Sequence, residues 1–439
     1  MEDIDLTVRT LGECRIESPL APLLATRKQT LHNVDEDDRV LVDDTLAMAA
    51  AHGRAVADLP SFEPGGPRRK LFFDPAVTRA GIVTCGGLCP GLNDVIRAIV
   101  LELDQHYGVT DVLGFRNGFQ GFIDSYGHEP TRLNREVVRD INALGGTVLG
   151  TSRGKQDPGL VVDRLVREGI NLLFVIGGDG SLRGALGLAD EVAARGLPIA
   201  VVGVPKTIDN DIPFIDHSFG FQTAFSRATD SIRAASTEAR AAPNGVGLVK
   251  LMGRHSGFIA SYAALAKNDT DFVLIPEVPF KLEGDAGFLA HLRRRVVERG
   301  HAVVVLAEGA GQELLQTRAT LTDASGNVKL HDIGVLLRER ITAHFASAGI
   351  ELNLRYLDPS YAIRSVPANP YDSVFCLRLG QAAVHAAMAG RTAMVVGRWH
   401  GRFVNLPIEL VTSSRNTVDP DGDLWLAVLE ATGQPQTFG

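Results

Sequence analysis

The sequence predicts an α/β protein built from mainly parallel β-sheets that helices cover on both faces. Short, nearly all-apolar segments such as 172–176 and 302–307 have the length and composition of buried strands. The stretches between such segments repeat apolar residues at helical spacing. Polar clusters follow several of the strands directly, and in open parallel sheets ligands bind beyond the carboxyl ends of the strands. The pattern therefore predicts a ligand site at the strand ends.

Length and composition indicate a globular protein of roughly two or three domains. The 439 residues carry a formal net charge of −8, which argues against a nucleic-acid binder because such proteins present a basic face. No apolar run approaches the roughly twenty residues that a membrane span needs, and the acidic start lacks the features of a secretion signal. Four scattered cysteines give no disulfide framework. We expect a cytoplasmic protein that binds neither nucleic acid nor membranes.

The regular part of the chain begins near residue 80, after a stretch with no strong period and a Pro/Gly linker at 61–67. A short strand at Gly81–Thr84 leads through a glycine loop into a helix whose apolar residues run from 92 to 103. The strand 172–176 precedes a second helix, which Gly196 is expected to end. The further predicted strands are 198–204, 247–251, 272–275, 302–307 and 392–396.

Gly86-Gly-Leu-Cys-Pro-Gly91 lies between the first strand and its helix. Glycines there let the backbone approach a phosphate, and the N-terminus of the helix favours negative charge. The same residues also suit a plain tight turn, so this motif alone leaves both interpretations open.

Gly177-Gly-Asp-Gly-Ser181 combines exposed backbone with a carboxylate at the end of the strand 172–176. Its glycines present N–H groups to an anion. Asp179 suits a phosphate-bound Mg²⁺, which prefers one or two carboxylates plus phosphate oxygens. Asp179 and Ser181 are also suited to capping the following helix. We favour phosphate binding by the turn and expect Asp179 to be the metal ligand.

The segment Pro205-Lys-Thr-Ile-Asp-Asn-Asp211 is the most specific in the chain. Asp209 is the candidate general base, because a hydroxyl nucleophile must lose its proton as a phosphoryl group arrives. Asp211 is suited to steady the metal or the base, while Thr207 and Lys206 can donate to the transferring phosphate. A structural Asx-turn would explain Asp209 but neither Lys206 nor the second carboxylate.

Three further polar residues follow strands or lie in loops at strand ends. The guanidinium forks of Arg254 and Arg364 match the oxygens of a phosphate ester, and Glu308 suits sugar hydroxyls. Each arginine taken singly is more often a solvated or salt-bridged surface residue. Together the motifs predict phosphoryl transfer onto a sugar. A NAD or lipid kinase with a similar glycine turn, and a regulatory nucleotide-binding subunit, are rival hypotheses.

The order of these motifs, with Met-Gly-Arg at 252–254 and Tyr-Ala-Ile-Arg at 361–364, resembles the 6-phosphofructokinase family from about Gly81 to Gly401. The resemblance implies two Rossmann-like αβα lobes with the active site in the cleft between them. It also implies a glycolytic kinase that transfers the γ-phosphoryl group of ATP to the 1-hydroxyl of fructose 6-phosphate. The products would be fructose 1,6-bisphosphate and ADP, and Mg²⁺ would be the cofactor.

The resemblance further implies a role for each residue that matches a family motif. Asp209 would accept the proton of the 1-hydroxyl, Asp179 would hold Mg²⁺, and Thr207, Asp211, Lys206 and Arg254 would complete the catalytic set. The nucleotide phosphates would lie against Gly86, Gly87, Arg153, Gly154, Gly178, Asp179, Gly180 and Ser181. The sugar phosphate would be bound by Thr207, Ile208, Asp209, Met252, Gly253, Arg254, Glu308, Tyr361, Ala362, Ile363 and Arg364. Arg355 matches an arginine that family members lend across a subunit interface, so we expect a homodimer or homotetramer.

Two positions bear on the phosphoryl donor. Lys206 is the residue found in the pyrophosphate-using branch of the family, whereas Gly180 is what ATP users carry. A carboxylate at position 180 would occupy the space of the ATP α-phosphate and repel it. The combination resembles the atypical ATP-dependent branch of the pyrophosphate-type group. We expect ATP as the donor, with a pyrophosphate-dependent enzyme as the alternative.

Two departures from the common bacterial pattern concern regulation and substrate contacts. Gly245 stands where those enzymes have an interface arginine for the sugar phosphate, and Leu101 replaces an arginine of their effector site. We therefore expect the usual ADP and phosphoenolpyruvate control of this allosteric family to be absent or rebuilt.

The predicted domains are an N-terminal extension at 1–78 and a nucleotide and Mg²⁺ lobe at 79–220, to which 363–412 returns. A fructose 6-phosphate lobe at 221–362 and a C-terminal tail at 413–439 complete the scheme.

Overall fold

The computed structural model describes residues 5–22, 34–53, 55–315 and 330–439, which divide into two compact units. Unit 1 comprises Met1–Thr207, Ile212–Gly220 and Pro367–Ser414, and unit 2 comprises Ile208–Asp211, Phe221–Val366 and Arg415–Gly439. The chain therefore changes unit on both sides of the segment 208–211. The predicted assignment of a nucleotide lobe and a sugar-phosphate lobe, with its boundaries, stays a prediction at this point.

The strands alternate with helices along most of the chain. The strands are β1 (Arg9–Thr10), β2 (Ile16–Glu17), β3 (Val40–Leu41), β4 (Ser61–Pro64), β5 (Lys70–Leu71), β6 (Ala80–Thr84), β7 (Val112–Phe115), β8 (Thr131–Leu133), β9 (Leu172–Gly177), β10 (Ala200–Pro205), β11 (Gly245–Leu251), β12 (Phe272–Leu274), β13 (His301–Ala307), β14 (Asn353–Leu357), β15 (Arg391–Thr392), β16 (Met394–Trp399) and β17 (Arg402–Pro407).

The helices are α1 (Leu46–His52), α2 (Leu92–Glu102), α3 (Pro158–Arg167), α4 (Asp179–Ala194), α5 (Phe221–Ala241), α6 (Phe258–Lys267), α7 (Phe288–Arg299), α8 (Ile333–Ser347), α9 (Ser360–Arg364), α10 (Pro370–Met388), α11 (Ile408–Val411) and α12 (Asp423–Thr432). Within the described ranges, no helix is both long and apolar enough to cross a membrane.

Unit 1 is organised around a nine-stranded sheet of order β3-β4-β17-β16-β10-β9-β6-β7-β8. The five central strands, from β16 to β7, run parallel to one another. Every residue of β6, β9 and β10 is buried, which is typical of strands with helices on both faces. Side chains such as Phe115, Leu173 and Val395 form the core. Because β6, β9 and β10 are parallel neighbours, the loops that follow them lie at the same edge of the sheet.

Unit 2 contains a four-stranded parallel sheet of order β12-β13-β11-β14. Its core joins Leu248 and Val304 of the sheet to Leu337 of α8. The C-terminal residues also belong to this unit, since the Phe438 ring packs against the Phe288 ring with 5.5 Å between centroids. Unit 2 therefore has a hydrophobic core of its own.

The predicted α/β class with mainly parallel sheets is confirmed. The structure differs from the prediction at the edges of the nine-stranded sheet. The pairs β3–β4, β4–β17, β17–β16 and β7–β8 are antiparallel, so the nine-stranded sheet is mixed. The predicted strand 392–396 is interrupted at Ala393, whose φ is 54°. The break lets Thr392 pair with Arg9 of β1 while Met394 enters the large sheet beside β10.

The N-terminal residues are fastened to unit 1 by a network of four charged side chains. The buried guanidinium groups of Arg68 and Arg391 lie between the carboxylates of Glu36 and Glu63, at distances from 2.6 to 3.2 Å. Glu63 is part of β4, which pairs with β17. The segment before residue 79 thus contributes both strands and ion pairs to unit 1.

Candidate functional site

In unit 1, three predicted phosphate-binding residues meet at the ends of the parallel strands β6, β9 and β10. A Cβ placed on Gly86 would lie 3.8 Å from both Lys206 Nζ and Ser181 Oγ. Lys206 directly follows β10 and is buried, with 6% of its surface exposed. Lys206, Ser181 and the Gly86 turn therefore lie together at one edge of the sheet.

The Gly86 loop is held by a second loop that carries Arg153. The Gly86 N–H donates to the Ser152 carbonyl at 3.1 Å, and the Thr151 hydroxyl donates to the Gly86 carbonyl at 2.6 Å. One guanidinium nitrogen of Arg153 lies 3.7 Å from the position that a Gly87 Cβ would take. Arg153 and Gly154 are exposed. The structure therefore brings the predicted glycine loop and Arg153 together.

The turn between β9 and α4 places Asp179 at the first position of the helix, with Gly178 as the N-cap residue. A negative charge there is favoured by the helix dipole. The Asp179 carboxylate accepts hydrogen bonds from Arg183, one turn along, at 3.1 and 3.3 Å. Gly180 is exposed, and a Cβ at this position would meet no atom within 4 Å. The open space at Gly180 is what the prediction about the donor requires.

In unit 2, the short segment 208–211 carries the two predicted aspartates. The Ser256 hydroxyl donates to the Asp209 carbonyl at 3.0 Å, and Asn210 has a left-handed backbone with φ of 57°. Asp211 is buried, and its carboxylate accepts from Arg415 Nη1 at 2.7 Å. The Asn416 N–H donates to the Asp211 carbonyl at 2.9 Å. The C-terminal segment therefore fixes this short stretch of chain.

Three carboxylates of unit 2 influence one another at this site. Burial, together with the charges of Asp211 and Glu308, raises the pKa of Asp209 from 3.8 to about 7. The backbone N–H and the charge of Arg254 oppose that rise. Burial also raises the pKa of Glu308, against the charges of Arg254 and Lys250. A carboxyl that titrates near neutral pH is suited to accept and release a proton.

The predicted Met-Gly-Arg and Glu-Gly motifs meet at the ends of the adjacent strands β11 and β13. The Glu308 N–H donates to the Leu251 carbonyl at 2.9 Å, and the Gly309 N–H donates to the Gly253 carbonyl at 3.0 Å. A Cβ on Gly309 would lie 2.0 Å from the Arg254 carbonyl oxygen. Glycine at position 309 is therefore needed for Arg254 and Glu308 to lie side by side.

The predicted substrate residues of α9 are arranged around a cation–π contact. The Arg364 guanidinium lies 4.8 Å from the centroid of the Tyr361 ring. Ile363 is buried in unit 2, whereas Tyr361 is 75% exposed. Arg355 is exposed on β14, and its Nε lies 3.7 Å from Glu238 Oε2 of α5.

The glycine at position 245 has a steric explanation. A Cβ there would lie 2.0 Å from the Ala239 carbonyl oxygen of α5. No arginine fits at this position of unit 2, so the departure noted from the sequence is imposed by close packing between helix and strand.

Residues that the sequence analysis missed also belong to this site. Arg415 lies in a segment without a recognisable motif, and only the structure places it beside Asp211. Lys250 is different, because a single charged residue inside the apolar strand β11 is a visible signal. Its ammonium lies 2.9 Å from carboxylate oxygens of both Asp332 and Asp358.

Comparisons with known proteins place this geometry in context. A family model described as Phosphofructokinase matches residues 79–387. The chain is 61% identical to the "ATP-dependent 6-phosphofructokinase" of Amycolatopsis methanolica, with 99% of this chain and 96% of that protein covered. It is 46% identical to the protein of the same name from Borreliella burgdorferi, with 99% and 98% covered.

Two solved structures share the fold at lower identity. The "Pyrophosphate-dependent phosphofructokinase" of Marinobacter aquaeolei matches with a TM-score of 0.66 and 21% identity, covering 82% of this chain and 93% of that one. The phosphofructokinase of Pichia pastoris in the T-state matches with a TM-score of 0.63 and 22% identity, covering 81% and 37%.

The raised pKa of Asp209 predicts a pH-dependent change in stability on its replacement. A carboxyl with a higher pKa in the folded than in the unfolded protein destabilises the fold increasingly from about pH 4, and fully above about pH 7. Asp209→Asn should therefore raise the free energy of unfolding, by about 2–3 kcal/mol more at pH 8 than at pH 4.5. Urea unfolding at the two pH values measures this difference.

The matched control is Asp230→Asn, which changes an exposed aspartate of α5 that lies 3.4 Å from Arg233. It should alter stability by only a few tenths of a kcal/mol at either pH. If Asp209→Asn raised the free energy of unfolding by the same amount at both pH values, the raised pKa of Asp209 would be contradicted.

Proposed function

The chain belongs to the phosphofructokinase family, and from that premise we propose how it works as an ATP-dependent 6-phosphofructokinase. In this reaction the 1-hydroxyl of fructose 6-phosphate attacks the γ-phosphorus of ATP. A new O–P bond forms while the bond to the oxygen of the departing ADP breaks. The hydroxyl proton must leave during this step, so the enzyme needs a base beside the sugar.

Asp209 is that base, and the observation that carries the proposal is its buried carboxyl near Asp211 and Glu308, whose charges with burial raise its pKa to about 7. An aspartate at its ordinary pKa of 3.8 would be a weak proton acceptor. Burial beside Asp211 and Glu308 makes Asp209 more basic, while it stays ionised in a large share of molecules at neutral pH. Asp211, held by Arg415, supplies part of the charge that tunes it. Thr207 next to this segment contacts the substrate.

The sugar phosphate is bound by residues of unit 2. Arg254 and Arg364 present guanidinium groups suited to phosphate oxygens. Glu308 accepts hydrogen bonds from sugar hydroxyls, and its position beside Arg254 is fixed by the close approach at Gly309. Met252, Gly253, Ile208, Tyr361, Ala362 and Ile363 complete the surface that receives fructose 6-phosphate.

The nucleotide phosphates are bound by residues of unit 1. Gly86 and Gly87 form the loop that the phosphates approach, because glycines leave the backbone accessible, and Lys206, Ser181 and Arg153 supply the donors grouped around that loop. Gly178 and Gly154 leave room for the phosphates at the start of α4 and in the Arg153 loop. Lys206 donates to the phosphate whose charge builds up during transfer.

Asp179 would hold Mg²⁺, which neutralises phosphate charge when it is bound with ATP. Within the described residues, no cluster of three or more His, Cys, Asp or Glu side chains suits a metal ion. A single carboxylate at a helix start fits Mg²⁺ nonetheless, because this ion takes most of its ligands from phosphate oxygens and water. The family's need for a divalent metal and the hard oxygen donor of Asp179 agree on this point.

ATP is the donor, and the space at Gly180 supports this assignment within unit 1. Lys206 is shared with pyrophosphate users, so it does not separate the two donors. The assembly proposed is a homodimer or homotetramer in which Arg355, exposed on β14, reaches the sugar phosphate of a neighbouring subunit. The cytoplasmic location and the absence or rebuilding of the usual effector control stay predictions.

The donor assignment is tested with the purified protein, fructose 6-phosphate and Mg²⁺. ATP should support formation of fructose 1,6-bisphosphate at a kcat of roughly 1–100 s⁻¹, and pyrophosphate should give far less product. Product is measured by coupling to aldolase. Activity with pyrophosphate alone would show that the donor has been assigned wrongly. Turnover of NAD or a diacylglycerol with no turnover of sugar phosphates would reject the function itself.

Gly180→Asp should remove most ATP-dependent activity, because it places a negative charge where the ATP α-phosphate binds. We expect a fall of about tenfold or more in kcat/KM for ATP. Gly180→Asn matches the aspartate in size without its charge, and Gly180→Ala adds only a methyl group in open space. Both controls should keep more activity than Gly180→Asp. Equal losses of ATP-dependent activity in Gly180→Asp and Gly180→Asn would show that the size of the side chain, and not its charge, causes the loss.

Asp209→Asn should lower kcat by roughly 10²–10⁴-fold while leaving the binding of fructose 6-phosphate nearly unchanged. An amide keeps the size of the side chain but cannot take the proton. Steady-state kinetics gives kcat, calorimetric titration gives the sugar affinity, and Asp230→Asn serves again as the control. Turnover within threefold of the wild type would exclude Asp209 as the base.

A further inference from the structure

Lys250 is the single charged residue of the strand β11, whose seven residues are all buried. Its side chain is 10% exposed, and its Nζ lies 2.9 Å from Asp332 Oδ2 and 2.9 Å from Asp358 Oδ2. A buried ammonium retains its charge when carboxylates surround it, and two are present here. We call this arrangement of Lys250, Asp332 and Asp358 the lysine bridge.

Each aspartate of the lysine bridge uses its second oxygen to hold the start of a helix. Asp332 is the N-cap residue of α8, and its Oδ1 accepts from the Val335 N–H at 3.2 Å. Asp358 Oδ1 accepts from the N–H and the hydroxyl of Ser360, at 3.1 and 2.5 Å, where α9 begins. Lys250 therefore links the end of β11 to the first residues of two helices.

The helix α9 is the element through which the bridge reaches the site. It is only five residues long and carries Tyr361 and Arg364. So short a helix has little stability of its own, and its orientation depends on what holds its ends. The charges of Lys250, Asp358 and Arg364 all act on the pKa of Glu308, so the bridge and the arginine lie within electrostatic range of the same carboxylate.

We propose that Lys250 is a positioning residue for the sugar-phosphate site, which orients α9 through Asp358 so that Arg364 faces the phosphate ester. The proposal rests on the function proposed above. Without the ammonium, two carboxylates would face each other across the bridge, and their repulsion would displace Asp358 from Ser360. Binding of the sugar phosphate would weaken, whereas the ATP residues of unit 1 would be unaffected.

The test compares Lys250→Met with the wild type and with Lys267→Met. Methionine keeps the apolar stem and removes the charge. Lys267, at the end of α6, is the matched control, because it is also a lysine paired with an aspartate. Its Nζ lies 2.5 Å from Asp269 Oδ2. Lys250→Met should raise the KM for fructose 6-phosphate about tenfold or more, and the KM for ATP should stay within about twofold. Lys267→Met should change neither.

Two further variants keep the proposal testable if Lys250→Met does not fold. Lys250→Arg retains a cation and should give an intermediate KM for fructose 6-phosphate. Asp358→Asn keeps an oxygen for Ser360 but weakens the ion pair, and it should raise the same KM by about threefold or more. Melting temperatures of all variants identify any general loss of stability.

An unchanged KM for fructose 6-phosphate in folded Lys250→Met, or an equal rise in both KM values, would overturn the positioning role. Failure of the proposed function would look different from failure of the positioning role, because the wild-type protein itself would then show no fructose 6-phosphate kinase activity.

Discussion

The carboxylate cluster of Asp209, Asp211 and Glu308 is the constraint on which the loops of unit 2 depend. Carboxylates taken out of water together repel one another and lose hydration, so each needs a cation or a hydrogen-bond donor. Arg254 serves Asp209 and Glu308, and Arg415 serves Asp211. These residues come from four distant parts of the sequence. The Arg415–Asp211 ion pair and the packing of Phe438 on Phe288 both tie the C-terminal segment after Ser414 to unit 2.

Glycine has three different physical roles at the residues that matter for function. At Gly309 and Gly245 it permits contact, since a Cβ at either would lie 2.0 Å from a backbone oxygen. At Gly86, with φ of 85°, it permits a left-handed backbone that other residues rarely adopt. At Gly180 neither reason applies, because φ is ordinary and the surroundings are open. A glycine with no structural reason is best explained by what binds there, and this gives position 180 its weight in the choice of donor.

The sequence predicted best those features that depend on neighbouring residues. Apolar runs predicted the parallel strands β6 and β9 to β13, but not β7 or β14. Strand-end motifs singled out Asp179, Asp209, Arg254 and Glu308, whose roles stay predictions. The antiparallel edges were missed, because two- to four-residue strands such as β3, β4 and β8 are too short to show a period. Arg415 was missed because its partner Asp211 is 204 residues away. Its ion pair depends on the path of the whole chain, which no local pattern encodes.

Unit 2 handles clustered carboxylates in two opposite ways, and the contrast separates structural from reactive acids. At the lysine bridge, burial alone would raise the pKa of Asp332 and Asp358, but hydrogen bonds from Lys250 and from Ser360 or backbone N–H groups outweigh it and lower both. Such acids stay charged and hold helices in place. Asp209 is more deeply buried than either, with a buried Oδ1, and the charges of Asp211 and Glu308 add to the effect of burial. Arg254 compensates only in part, so the pKa of Asp209 rises towards neutrality. Incomplete compensation destabilises the fold, and it is also what makes a carboxyl able to exchange a proton at physiological pH. The balance of burial and charge around each acid therefore explains why Asp209, unlike Asp332 and Asp358, is suited to proton transfer.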